Sequence, residues 1–176
     1  MGTTKGSSAK RLLRALAAKH GILVTVESCT GGGIADLVTG IPGSSETLWG
    51  SLVTYQDSAK RSILGIPASL LRQKGAVSRE TAKAMAEAGY RLARRSVGRA
   101  RALVCVSTTG VAGPGGGTPS TPVGTCYIGV ASGASRGKAR VIELGPGKSG
   151  RASRAEWKRR FARRALEEAL REARRR

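Results

Sequence analysis

Where an apolar stretch breaks into a run of glycines, a serine has the surroundings of a nucleophile. Ser28 follows the apolar residues 22–26 and Glu27, and it precedes Cys29, Thr30, Gly31, Gly32 and Gly33. At such a strand-to-helix turn the hydroxyl is exposed and backbone N–H groups point at a nearby anion or oxyanion. The surroundings are not the G-x-S-x-G elbow of the α/β hydrolases, and the single histidine, His20, leaves little support for a Ser-His-Asp triad. Another proton acceptor is needed. Lys60 and Tyr55 are the candidates, because a lysine whose pKa is lowered by burial accepts a serine proton and a neighbouring phenol can relay it. Each residue also has a plainer use: Ser28 as a helix cap, Lys60 as a solvated charge, Tyr55 as an amphipathic core residue.

The other reactive groups point away from metals and disulfides. Cys29, Cys105 and Cys126 are odd in number and lack C-x-x-C spacing, so no disulfide framework is expected. Without a second histidine or a close carboxylate cluster, the usual zinc or iron site cannot be assembled. Neither a metal nor a cofactor is expected. Charge is the strongest compositional signal: 31 Lys and Arg against 11 Asp and Glu give +20, of which +5 falls in residues 1–24 and +7 in residues 149–176. Such a field attracts phosphates of any origin, whether on nucleic acid, a phosphorylated small molecule or an anionic surface. Arg94, Arg95, Arg99 and Arg101 form a basic stretch without the aromatic interleaving of a single-strand binder, which reads as a solvated face.

The elements that must hold these residues follow from periodicity. Leu12, Leu13, Leu16 and Ala17 share one face of a helix over residues 9–19, stopped at Gly21. Strands are predicted over 22–26, 48–55, 102–108, 123–131 and 139–144, and helices over 34–38, 59–64, 78–95 and 153–174. In the third of these helices Ser78 is the cap, with Ala82, Met85, Ala86, Gly89 and Leu92 facing inward. Residues 110–122 are too rich in Gly and Pro to be anything but a loop, and residues 132–138 read as an exposed connection and 145–153 as a flexible one. Alternation of helix and strand within 176 residues predicts one domain, an α/β/α three-layer sandwich with a mainly parallel, mixed sheet. Its organisation is a flexible basic tail over 1–8 and a domain over 9–174, with no separate N-terminal domain. In such sheets the site lies in loops beyond the strand C-termini, here residues 27–33 and 108–118. The longest apolar runs are too short to span a bilayer, so no membrane partner is expected. Residues 1–10 lack the apolar stretch of a secretory signal, which places the chain in the cytoplasm, or in an organellar matrix if the tail is a targeting remnant.

ESCTGG at 27–32, Y-x-x-x-A-K at 55–60, GAVSRE at 75–80 and TGVAGPGGGTPSTPVGT at 109–125 resemble, in order and spacing, the CinA C-terminal domain family, whose characterised enzymes are nicotinamide mononucleotide deamidases. The linking stretches IPGSSETLWGSLVTY and KRSILGIPASLL are similar too, so the resemblance covers residues 10–145. It implies a metal-free serine amidohydrolase that converts nicotinamide mononucleotide to nicotinate mononucleotide and ammonia, with Ser28 as nucleophile, Lys60 as base and Tyr55 beside them. Backbone N–H groups of Cys29, Thr30, Gly31 and Gly32 are the candidates for the oxyanion. The loop from Thr109 and Gly110 through Gly113, Gly115 and Gly116 would approach the substrate closely.

At the C-terminus the family's G-D-R-x-x-I-R pattern is met only by ASRAEWK at 152–158. Arg154 stands for the first arginine and is the candidate for the substrate phosphate; Lys158 stands for the second, and Arg151 competes. The expected partners are this substrate and further copies of the chain in a homo-oligomer. RNA is the alternative partner, held by the basic termini of a catalytically silent scaffold. Removing residues 1–8 and 171–176 should weaken RNA binding while leaving the hydrolytic site intact.

Overall fold

The computed structural model describes residues 7–97, 102–146 and 152–175. Most of the expected basic tail, Arg99, Arg101 and Arg151 lie outside these residues. Helix α1 (Ser8–Ala17) starts where the Ser7 side chain accepts the Lys10 N–H at 3.3 Å, and it buries Ala9, Leu12, Leu13 and Leu16. Ala17, expected on that face, is exposed. Strand β1 (Ile22–Glu27) follows, then α2 (Gly33–Thr39), a 3₁₀ turn at Ser44–Glu46, β2 (Leu48–Val53), α3 (Asp57–Leu64), α4 (Ala68–Lys74) and α5 (Arg79–Val97). Strands β3 (Leu103–Gly110), β4 (Cys126–Ser132) and β5 (Ala139–Leu144) lead to the closing helix α6 (Arg154–Ala173). Two elements are absent from the sequence prediction, α4 and the 3₁₀ turn. Both are a turn or two long, too short for apolar periodicity to stand out. Strand β2 ends two residues early because Thr54 and Tyr55 turn away to carry the chain toward α3.

The sheet order is β2-β1-β3-β4-β5. Strands β2 and β3 flank β1 in parallel, whereas β3 to β4 and β4 to β5 pair antiparallel. The sheet is therefore mixed, with a parallel half and an antiparallel half, because a short turn over 133–138 returns β4 directly into β5. Alternation of side chains sorts the core into two layers. Leu23, Val104, Val106, Ile128 and Val130 face α1, α2 and α6, while Ile22, Val24, Val26, Leu103 and Cys105 face α4 and α5. Among the described residues no helix is long and apolar enough to cross a membrane.

Small residues bring α5 against the sheet. A Cβ at Gly129 would lie 2.4 Å from the Ala82 carbonyl oxygen and 2.6 Å from Ser107 Oγ, which itself donates to that carbonyl at 2.6 Å. Backbone cannot yield as a side-chain tip can. Gly129→Ala is therefore expected to destabilise the fold by roughly 1–3 kcal/mol, read as a lower urea midpoint. A wild-type midpoint would show that α5 can slide outward at little cost.

Candidate active site

Three loops meet at one edge of the sheet, each beyond the C-terminus of a parallel strand: residues 28–32 after β1, 54–56 after β2 and 111–125 after β3. Strand order reverses at β1, whose two neighbours lie on opposite sides, and this is where a crevice opens in a wound α/β sheet. A cavity of about 270 Å³ occupies that place, lined by Ser28, Cys29, Tyr55, Lys60, Ala76, Val77, Thr109, Gly110, Val111, Ala112, Gly113, Gly115, Gly116 and Arg154.

Ser28 is 8% exposed. Its main chain is held on both sides: its N–H donates to the Thr108 carbonyl at 3.0 Å, and its carbonyl accepts the Gly31 N–H at 3.0 Å. Lys60, on the first turn of α3, is 1% exposed and is the largest fully buried side chain among the described residues. It is not a solvated charge. Its Nζ donates to the Tyr55 carbonyl at 3.1 Å and approaches Asp57 Oδ1 at 3.5 Å. Burial lowers the Lys60 pKa from its ordinary value; Asp57 and then Cys29 work against that shift. Asp57 keeps its own side chain 54% exposed, so the ammonium has no buried counter-ion. The result is a buried amine with a reason to be neutral, in the same cavity as a serine hydroxyl.

Tyr55 is 54% exposed and is not a core residue. Its hydroxyl accepts from Arg154 Nη2 at 2.6 Å, while Arg154 Nη1 donates to the Gly113 carbonyl at 2.6 Å. One guanidinium thus ties the loop after β2 to the loop after β3. Arg154 stands at the start of α6 because Ser153 caps that helix: Ser153 Oγ accepts the Glu156 N–H at 3.3 Å and the Glu156 carboxylate accepts the Ser153 N–H at 2.7 Å. Serine and aspartate are equivalent caps, so Ser153 opens the helix at Arg154 as an aspartate there would. In the third loop Thr109 is buried and its Oγ1 donates to the Ala76 carbonyl at 2.6 Å. Gly113 has φ +73, and a Cβ there would meet Val123 Cγ1 at 2.6 Å, so both backbone and packing require glycine.

The glycine turn is used differently from the sequence expectation. Glu27, fully buried, accepts the Gly32 and Ile34 N–H groups on Oε2 at 3.0 and 3.1 Å and the Ala35 N–H on Oε1 at 3.0 Å. The Gly31 N–H is spent on the Ser28 carbonyl. Gly31 and Gly32 therefore have no N–H to offer an oxyanion, whereas among the described residues those of Cys29 and Thr30 meet no acceptor. Thr30, Gly31 and Gly32 line a neighbouring cavity of about 460 Å³ instead, together with Lys158 and Arg159. Thr30 Oγ1 shares a hydrogen bond of 2.8 Å with Thr108 Oγ1. Of the residues the sequence singled out, these three and Lys158 are next door; Ser28, Cys29, Tyr55, Lys60, Thr109, Gly110, Gly113, Gly115, Gly116 and Arg154 share one cavity. Glu27, Ala76, Val77, Val111 and Ala112 stand in the quoted motifs without a role assigned from sequence, and Asp57 was missed. Asp57 had a signal, three residues before Lys60 on a helix.

The basic C-terminus proves to be engaged. Glu168 and Glu172, both buried, receive Arg140 at 3.0 and 3.2 Å; Arg164 reaches Glu168 at 2.9 Å, Arg175 reaches Glu172 at 3.2 Å, and Arg171 also pairs with Glu168. Ser132 Oγ donates to Glu172 at 2.6 Å. Residues 171–175 are thus tied into the folded domain, so removing 171–176 acts on the fold as well as on charge and does not isolate RNA binding from the hydrolytic site.

A family model for the CinA C-terminal domain matches residues 5–173. A CinA-like protein of Desulforapulum autotrophicum is 47% identical over 118 residues, covering 67% of this chain and 26% of the relative. A putative competence-damage inducible protein of Caldanaerobacter subterraneus is 47% identical over 110 residues, covering 62% and 25%. The chain thus spans about a quarter of the length of these curated relatives. Among solved structures, the competence/damage inducible protein CihA from Agrobacterium tumefaciens superposes with a TM-score of 0.78 at 34% identity, over 97% of this chain and 99% of that one. A CinA superfamily protein from Enterobacter cloacae gives 0.81 at 25% identity, over 98% and 96%.

Proposed function

The chain belongs to the CinA C-terminal domain family, and from that membership we propose that it hydrolyses the carboxamide of nicotinamide mononucleotide, releasing ammonia and nicotinate mononucleotide. The observation that carries this reading is the buried Lys60, its pKa lowered by desolvation, in one cavity with Ser28. Neutral Lys60 takes the Ser28 proton as Oγ bonds to the carboxamide carbon. The N–H of Cys29, which lines the cavity, receives the oxyanion, and that of the adjacent Thr30 is likewise uncommitted among the described residues. Collapse breaks the C–N bond, and the proton on Lys60 leaves with ammonia. Water then attacks the acyl-serine ester, gives its proton to Lys60, and the second collapse returns that proton to Ser28. The net change is one amide and one water converted to one acid and one ammonia. Arg154, at the cavity rim with two of its N–H groups committed, has others for the substrate phosphate.

The pH profile of ammonia release tests this scheme. The base must be neutral, so the rate rises as pH climbs through the Lys60 pKa. Asp57 raises that pKa; Asp57→Asn is expected to lower it and to move the acid limb of the profile to lower pH. An acid limb that moves upward, or does not move, would remove Lys60 as the base.

A further inference from the structure

Glu27 is an unusual residue to find fully buried, because among the described residues no lysine or arginine pairs with it. Its carboxyl is instead shared among the main-chain N–H groups of Gly32, Ile34 and Ala35 and, at 3.4 Å, the Ser51 hydroxyl of β2, which in turn accepts from Thr25 Oγ1 at 2.7 Å. The Glu27 carbonyl accepts the Thr54 N–H at 2.8 Å. One residue thus joins the end of β1 to β2 and to the start of α2, and the next residue in the chain is Ser28. Burial of a carboxyl is costly unless its acceptors are satisfied, and here they are satisfied by the turn that carries the nucleophile.

On the functional reading above, we propose that Glu27 is a positioning residue for the hydrolytic site: by occupying the Gly32, Ile34 and Ala35 N–H groups it fixes the turn that places Ser28 Oγ, and of that turn's N–H groups leaves those of Cys29 and Thr30 uncommitted. Without it, the three donors seek other acceptors, the turn relaxes, and the anion-binding end of the site is no longer confined to one spot. Glu27 does not line the cavity, so its loss acts on the geometry of reaction rather than on substrate affinity.

Glu27→Gln keeps the shape and exchanges one acceptor oxygen for an NH₂ donor facing N–H groups. The expected result is a kcat lower by roughly 100-fold, the scale of a small misplacement of reacting groups, with KM unchanged and with faster hydrogen exchange at the Ile34 and Ala35 amides. Glu27→Asp restores two acceptor oxygens one methylene further back; its kcat and its amide exchange should move together between those of the wild type and the Gln form. A folded Gln variant with wild-type kcat, a loss confined to KM, or an Asp variant whose kcat does not follow its exchange would each overturn the proposal. If the Gln variant does not fold, the Asp comparison decides alone. Absence of deamidation by the wild type would end the functional reading instead; Glu27 would then be judged on the amides, and unchanged exchange at Ile34 and Ala35 in either folded variant would overturn its role.

Discussion

Lys60→Met is expected to reduce ammonia release by about 10²–10⁴-fold, the range for loss of a positioned general base, while the melting temperature holds or rises. The two halves of this result have one cause. Lys60 is 1% exposed, so its amine is held in the interior at a desolvation cost; methionine fills a similar volume and removes that cost. Its partner Asp57 is half-exposed and can turn to water when the amine is gone. A site residue kept against stability is the pattern expected where activity requires it. Ser28→Ala should lower turnover at least as far, since nucleophile and base act as one unit, and the double variant should be little worse than either single one. Tyr55→Phe should cost less, because its hydroxyl meets Arg154 rather than Ser28 or Lys60. Retained turnover in the Lys60 variant would assign the proton to another group.

Glu168→Ala is expected to destabilise the fold by roughly 1.5–3 kcal/mol, the scale of hydrogen bonds made to a charged group. Glu168 is 2% exposed and serves Arg140, Arg164 and Arg171; without it, Arg140 and Arg164, each about a third exposed, lose their common partner and keep only Glu172 and Glu167 respectively. Denaturant unfolding followed by circular dichroism measures the loss, and a change below about 1 kcal/mol, the worth of a surface pair, would show that the network is solvated. The same contacts bear on the basic termini. Arg140, Arg164, Arg171 and Arg175 are committed to Glu168 and Glu172; the net +20 already counts both carboxylates, so the excess that could meet phosphates resides on the other cations. Truncation at residue 170 removes Glu172 and Ala173, both buried, and becomes a test of folding before it is a test of RNA binding.

Where hydrophobic period and local turn chemistry act alone, the sequence is informative. Residues 139–144 were predicted as a strand and form β5 at those bounds; Ser78 was predicted to cap α5, and its Oγ accepts the Thr81 N–H at 3.1 Å. The antiparallel half of the sheet was less legible, since β3 and β4 are both buried runs whose apolar character does not reveal strand direction. In the site, Ser28, Tyr55 and Lys60 stood out by residue type and by motif. Their environments did not: Lys60 on an α3 of mixed character looks like a surface charge, whereas the fold leaves it 1% exposed with Nζ on the Tyr55 carbonyl. Glu27 stands in the ESCTGG motif and in the loop over 27–33, but no role follows from the sequence because a lone acid beside glycines carries no period and no spacing. Its role depends on three N–H groups brought to it by the turn into α2, a tertiary fact.

Quantifying ammonia and nicotinate mononucleotide after incubating the purified chain with nicotinamide mononucleotide tests the central claim most directly, with the Ser28→Ala protein as the blank. The account predicts the two products in equal amounts, rising with time and with enzyme, and absent from the blank. A folded wild-type chain that releases no ammonia at any pH or concentration, or that releases it as fast with Ser28 replaced, would contradict it.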